Sequence, residues 1–259
     1  MIFQIKSYIQ FLWNSKNHHG VHSPFVFDLV TKCFYDKKTK PEYAVLKNYR
    51  NSLLQNKNTI EVTDFGAGSR VFKSNIRQVS KIAQTAGISP KRAELLCRIA
   101  GYFQPSDILE IGTSLGLATS ALSLGNLKSQ ITTLEGCPQT ASVATNQFQL
   151  FHLDNIETIV TEFKNYFNNN TMAAVNYQII YFDGNHSKQA TLDYFELLLP
   201  TITNDSVWIF DDIHWSEDME NAWEGIKENP KVTITIDTFQ WGFVFFRTEQ
   251  KKEHFIIRS

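Results

Sequence analysis

Long apolar runs are missing from this 259-residue chain. None approaches the roughly 20 residues that a bilayer-spanning helix requires, so a membrane-spanning segment is not expected. Cysteine is scarce. Cys33, Cys97 and Cys137 stand far apart with no CxxC spacing, which excludes a disulfide framework and a cysteine zinc site. Free thiols of this kind fit a reducing, cytoplasmic setting. Charge of one sign is also lacking. The formal net charge is −1, so no general electrostatic attraction to nucleic acid is expected. Internal repeats and low-complexity tracts are absent.

Hydrophobic residues make up 42% of the chain, and phenylalanine occurs 20 times, enough to build a full core. Residues 1–13 contain Ile2, Phe3, Ile5, Tyr8, Ile9, Phe11, Leu12 and Trp13, interrupted by Lys6 and two glutamines. No small-residue cleavage site follows, so the segment reads as an amphipathic helix docked on the body of the protein and not as a secretory leader. One basic residue on that face gives little pull towards a membrane surface, and no membrane partner is expected.

Two textures divide the chain. Residues 1–84 lack regular strand–helix alternation and suggest a mainly helical cap that shapes a substrate site or a homodimer contact. Residues 85–259 alternate strand and helix, which predicts βαβ units and a parallel sheet. The strands fall at 107–111, 130–134, 157–160, 177–182 and 207–210. Ser187 and Ser216 stand as helix N-caps. The last two strands, 232–237 and 242–247, are separated by four residues, too few for a parallel crossover, and must form an antiparallel hairpin. The expected fold is therefore α/β, Rossmann-like and seven-stranded, mostly parallel with an antiparallel C-terminal hairpin.

Two strand ends carry the chemistry. Ile108-Leu109-Glu110-Ile111-Gly112-Thr113-Ser114-Leu115-Gly116 runs from an apolar strand into a small-residue turn. Glycines there let a ligand approach the backbone. One βαβ unit later, Ile131-Thr132-Thr133-Leu134-Glu135-Gly136 ends in an acid placed to accept from both ribose hydroxyls. Together they indicate an adenosine-containing cofactor. The G-x-x-x-G spacing departs from the dinucleotide G-x-G-x-x-G, which argues against an NAD-linked oxidoreductase, and so does the closing hairpin. A non-catalytic cofactor-binding module remains a second alternative.

LEIGTSLG, TTLEG, YFDGNHS and FDDIHW followed by a final hairpin resemble class I S-adenosylmethionine-dependent methyltransferases of the catechol and macrocin-type O-methyltransferase neighbourhood. The likeness spans residues 85–248. The whole chain, with HHGVHSPFVF and DFGAGSR, is also similar to a group of bacterial methyltransferases. The resemblance implies S-adenosylmethionine as cofactor and O-methylation of a small-molecule hydroxyl. It assigns cofactor binding to Glu110, Gly112, Thr113, Ser114, Gly116, Glu135, Gly136, Glu162, Phe163 and Asp183, with Glu162 and Phe163 on the adenine side. Asp183, Asp211 and Asp212 end two strands that should be neighbours. Converging carboxylates repel unless a cation lies between them, and an all-oxygen set suits Mg²⁺. His186 and His214 follow those acids closely and are candidate bases. Lys188 is a weaker one. The triple histidine at 18, 19 and 22 has no zinc spacing and reads as a loop folded over the site. Asp64 to Arg70 imitates a glycine-rich cofactor motif but opens no βαβ unit.

Overall fold

The computed structural model describes residues 2–63, 72–168 and 175–258. The chain begins with α1 (Ile2–Asn14), α2 (Pro24–Leu29), α3 (Pro41–Gln55), β1 (Thr59–Glu61), β2 (Ile76–Gln78), α4 (Val79–Thr85) and α5 (Pro90–Phe103). It continues through β3 (Asp107–Ile111), α6 (Leu117–Gly125), β4 (Gln130–Glu135), α7 (Pro138–Leu150), β5 (Ile156–Val160) and α8 (Phe163–Asn168). Then come β6 (Ile179–Phe182), α9 (Lys188–Leu198), β7 (Val207–Asp211), α10 (Glu217–Glu228), β8 (Ile234–Asp237), β9 (Trp241–Phe245) and β10 (Glu253–Ile256). Among the described residues, no helix is long and apolar enough to cross a membrane.

The chain divides into two compact units, one of residues 37–169 and the other of residues 1–36 with 170–259. In the first, β3, β4 and β5 form a parallel ladder, with Leu109 opposite Thr132 and Leu134 opposite Ile159. Ile108, Leu109 and Ile111 of β3 are all buried, as expected for a parallel strand covered on both faces. Helix α5 starts where Ser89 accepts from the Arg92 N–H and Pro90 occupies the first turn. The segment before it contains a short antiparallel ladder of β1 and β2.

In the second unit, β6 and β7 pair in parallel, while β9 lies antiparallel to both β7 and β8. The expected hairpin of β8 and β9 is therefore present. The sequence reading counted seven strands, and among the described residues these units hold eight, three in one and five in the other, besides the short β1–β2 ladder. The addition is β10, which runs parallel to β8 and pairs Phe255 with Ile236. Two of its four residues are exposed and one is buried, so the strand has neither the length nor the apolar run that marks a central strand. Ser187 and Ser216 cap α9 and α10 as expected, accepting from Ala190 and Met219 N–H groups.

The hairpin also fixes the position of α10. A Cβ at Gly242 would lie 2.6 Å from the buried Trp223 ring of α10, so the helix packs directly on the strand backbone. Replacing Gly242 with Ala should lower unfolding free energy by about 1–3 kcal/mol through overpacking. Urea denaturation, with the two proteins compared at equal m-value, measures this.

Candidate functional site

The turn after β3 is organised by two acids of different kinds. Glu110 is fully buried. Its Oε2 accepts from the hydroxyls of Thr119 on α6 and Thr133 on β4, and Thr133 in turn lies 2.6 Å from the Thr113 hydroxyl. Its Oε1 is buried with no hydrogen-bond partner. Burial pushes the carboxyl up to about 8, against the two threonine hydroxyls, which favour its charge, and with a smaller contribution from Glu135. At neutral pH Glu110 is therefore a neutral acid that fastens strand, turn and helix from beneath.

Glu135, at the end of β4, points to the turn. Its Oε2 accepts from the Ser114 N–H at 2.8 Å and its Oε1 from the Cys137 N–H at 2.9 Å. Ser114 has φ +48 and Gly112 has φ +106. A non-glycine residue in the left-handed region costs on the order of 1 kcal/mol, and here the carboxylate holds it there. Gly112 and Thr113 N–H groups both donate to the Leu134 carbonyl, at 3.0 and 3.1 Å, which locks the turn to the second strand.

Gly116 is required by packing within the protein. It adopts φ +74, and a Cβ there would meet the Phe148 ring at 2.4 Å and the Tyr49 hydroxyl at 2.6 Å. The missing side chain makes room for protein. Tyr49 of α3 is fully buried and its hydroxyl donates to the Leu115 carbonyl at 2.9 Å. The sequence reading missed this residue, although the spacing of Leu46, Tyr49 and Leu53 marks a buried helix face. Cys137 was likewise read only as a free thiol. Its sulfur accepts from Thr63 N–H at 3.4 Å, fastening the segment after β1 beside Glu135. Gly136 follows Glu135 in the bend. Glu162 is exposed and Phe163 half-buried at the start of α8, where the Glu162 carbonyl accepts from Asn165 N–H at 3.0 Å. The Asp64–Arg70 motif lies outside the described residues.

In the other unit, Asp183 follows β6 and Asp211 closes β7. The register that pairs Phe182 with Phe210 makes their strand ends adjacent, as expected. They do not assemble into the anticipated Mg²⁺ centre. Among the described residues no group of three His, Cys, Asp or Glu side chains is arranged to hold a metal ion. Asp211 is buried, with Oδ2 accepting from the Tyr181 hydroxyl at 2.9 Å and Oδ1 from the Asp212 N–H at 2.7 Å. Asp212 takes φ +54. Both Asp211 oxygens thus take part in ordering this turn.

The two histidines part company. His186 Nε2 lies 3.7 Å from Asp183 Oδ1, and both side chains are about a quarter exposed, at 27% and 22%. His214 is nearly buried, with Nε2 2.8 Å from Asp237 Oδ2 and Nδ1 3.5 Å from Glu220 Oε2, and it stacks on Phe239. Burial opposes its charge, but the bond and charge of Asp237, helped by Glu220, outweigh burial and raise its pKa. Lys188 opens α9, and its backbone N–H donates to Asp218 at 2.6 Å. The His18 and His19 rings lie 4.0 Å apart, tilted by 39°, in a short turn capped by Asn17.

Residues 109–213 match the family model for a methyltransferase domain. The structure is similar to an SAH-bound methyltransferase of Podospora anserina, PaMTH1, at TM-score 0.58 and 14% identity, covering 88% of this chain and 97% of that one. An O-methyltransferase from Bacillus cereus in complex with SAH is similar at TM-score 0.54 and 18% identity over 85% and 95% of the two chains. The O-methyltransferase TomG from Streptomyces achromogenes, involved in tomaymycin synthesis and solved with SAM, is similar at 0.55 and 14%, over 84% and 95%. The fold is the Rossmann-like methyltransferase fold. No curated protein matches the sequence.

The Glu110 proton has a measurable consequence. A carboxyl whose value rises from 4.5 to about 8 on folding contributes stability that is complete below 4.5 and is lost as pH rises through 8. Glu110→Gln, which cannot ionise, should flatten that fall. Chemical denaturation of both proteins across the interval reads it, and parallel pH profiles would contradict the assignment.

Proposed function

We propose that this chain is an S-adenosylmethionine-dependent methyltransferase that acts on a hydroxyl of a small molecule. The observation that carries the reading is the Glu135 carboxylate clamped to the turn after β3. A carboxylate oxygen can accept more than one hydrogen bond, and an acid at this strand end is suited to accept from a ribose diol. The methyltransferase-domain match over residues 109–213 and the SAM- and SAH-bound structural neighbours support the same cofactor. When bound, the cofactor supplies an electrophilic methyl group on a sulfonium.

The chain's own residues then have separate tasks. Glu135 binds the ribose. Glu110 sets the turn of Gly112, Thr113, Ser114 and Gly116 from below, and Gly136, Glu162 and Phe163 belong to the adenine side. His186 takes the proton from the acceptor hydroxyl, and Asp183 faces its imidazole at 3.7 Å and orients it. Partial exposure leaves His186 able to exchange that proton with water. His214 is held by Asp237 and has no such freedom. Residues 1–84 shape the acceptor site or a homodimer contact, and the enzyme works in the cytoplasm.

Isothermal titration with S-adenosylhomocysteine tests the cofactor assignment. Glu135→Ala should weaken binding by about 10- to 100-fold, the worth of hydrogen bonds to a charged group. NAD should give no heat, and tight NAD binding would replace this reading with hydride transfer.

Turnover with pooled hydroxyl acceptors tests the base. His186→Ala should lower kcat by roughly 10²- to 10⁴-fold, the usual contribution of a positioned base. Its affinity for S-adenosylhomocysteine should stay that of the parent. A variant with undiminished kcat removes His186 from the reaction.

A further inference from the structure

Helix α1 has two apolar faces, and only one of them is used. Phe3, Ser7 and Phe11 recur at four-residue spacing and face the protein, with Ser7 and Phe11 buried. Phe11 and Tyr8 pack on the Phe239 ring at 5.5 and 4.8 Å between centroids, and the Ser7 hydroxyl donates to Glu220 at 3.1 Å. Just beyond the helix, Lys16 N–H donates to the Ile256 carbonyl at 2.8 Å, and the Arg258 guanidinium donates to the Leu12 carbonyl at 3.0 Å. The helix is therefore anchored along its inner side and at its end.

The opposite side carries Ile5, Ile9 and Trp13, again at four-residue spacing, exposed at 57%, 56% and 86%. Tyr8 extends this stripe at 46%. Scattered exposed apolar residues need no account, but three aligned on one rigid face do. Charge identifies the occupant. Residues 1–27 contain no Asp or Glu, while Lys6 and Lys16 are exposed and Arg258 lies against the helix end. Lys6 borders the stripe by helical geometry. The four exposed side chains offer on the order of 500 Å², short of the roughly 800 Å² per partner of a stable protein interface. A bilayer surface sets no such minimum. An interfacial helix lays its apolar face at the acyl boundary, with its tryptophan at headgroup level and its lysines among anionic headgroups.

We infer that α1 docks the protein in-plane on an anionic lipid bilayer through Ile5, Ile9 and Trp13, with Lys6, Lys16 and Arg258 meeting the headgroups. The sequence alone, with one basic residue on the apolar face, gave no such expectation. The structure supplies the division of the helix into an anchored face and an open one.

Co-flotation of the full chain with vesicles tests this. The parent should float with vesicles of equal parts phosphatidylglycerol and phosphatidylcholine, and far less with phosphatidylcholine alone. Ile5→Ser/Ile9→Ser/Trp13→Ser should reduce anionic-vesicle binding by at least about tenfold, since the apolar area that drives insertion is gone. Lys6→Glu/Lys16→Glu, which leaves the apolar stripe intact, should reduce it in proportion to the anionic lipid present. Far-UV circular dichroism and S-adenosylhomocysteine titration verify that each variant is folded. Failure of the parent to float, or equal flotation of parent and triple variant, overturns the proposal. So does analytical ultracentrifugation showing a parent dimer that the triple substitution dissolves, because the stripe would then be a contact between copies.

Discussion

The candidate site depends on one carboxylate held by two backbone N–H groups. Glu135 ends β4, and its oxygens reach across to Ser114 and down to Cys137. This single side chain ties the turn after β3 to the end of β4. It also keeps Ser114 in a backbone conformation that serine does not choose freely. Hydrogen bonds within the protein therefore order this turn.

Glu110 complements it by being unavailable. Both acids stand near the ends of parallel strands, yet one is fully buried and neutral while the other is partly open. The difference is one of depth. Glu110 lies one strand inward, beneath Thr113, Thr119 and Thr133, and satisfies them rather than a ligand. Keeping the buried acid neutral also weakens its repulsion with Glu135, which contributes to its raised value and would otherwise oppose the clamp. Tyr49 closes the arrangement from α3 by occupying the volume beside Gly116.

Much of this was legible in the residues. Apolar strands of four to six residues, serine caps and a hairpin with a four-residue connection follow from local rules, and β3, β4, β7, α9 and α10 appear within two residues of their expected bounds. The short edge strand β10 was not legible, because its pairing with β8 confers a strand on residues that lack an apolar run. The acids of β6 and β7 were correctly read as neighbours, but sequence spacing carries no information on where a side chain turns. Tyr181, buried in β6, takes Asp211 as its partner, a pairing that the spacing does not announce.

His186 and His214 show the same limit from the other side. Each lies within three residues of a strand-end aspartate, and nothing in the spacing separates them. Their environments do. His214 follows a left-handed Asp212 that turns the chain back towards β8, where Asp237 captures its Nε2 and Phe239 covers its ring. A buried ring with a fixed acidic partner keeps its proton and braces the hairpin. His186 follows a left-handed Asn185, stays a quarter exposed and faces Asp183 at 3.7 Å. The same sequence device, an acid followed by a histidine, thus yields a buried brace at one strand end and a half-open ring at the other. Which outcome occurs is decided by residues far away in the chain, Asp237 and Glu220 among them.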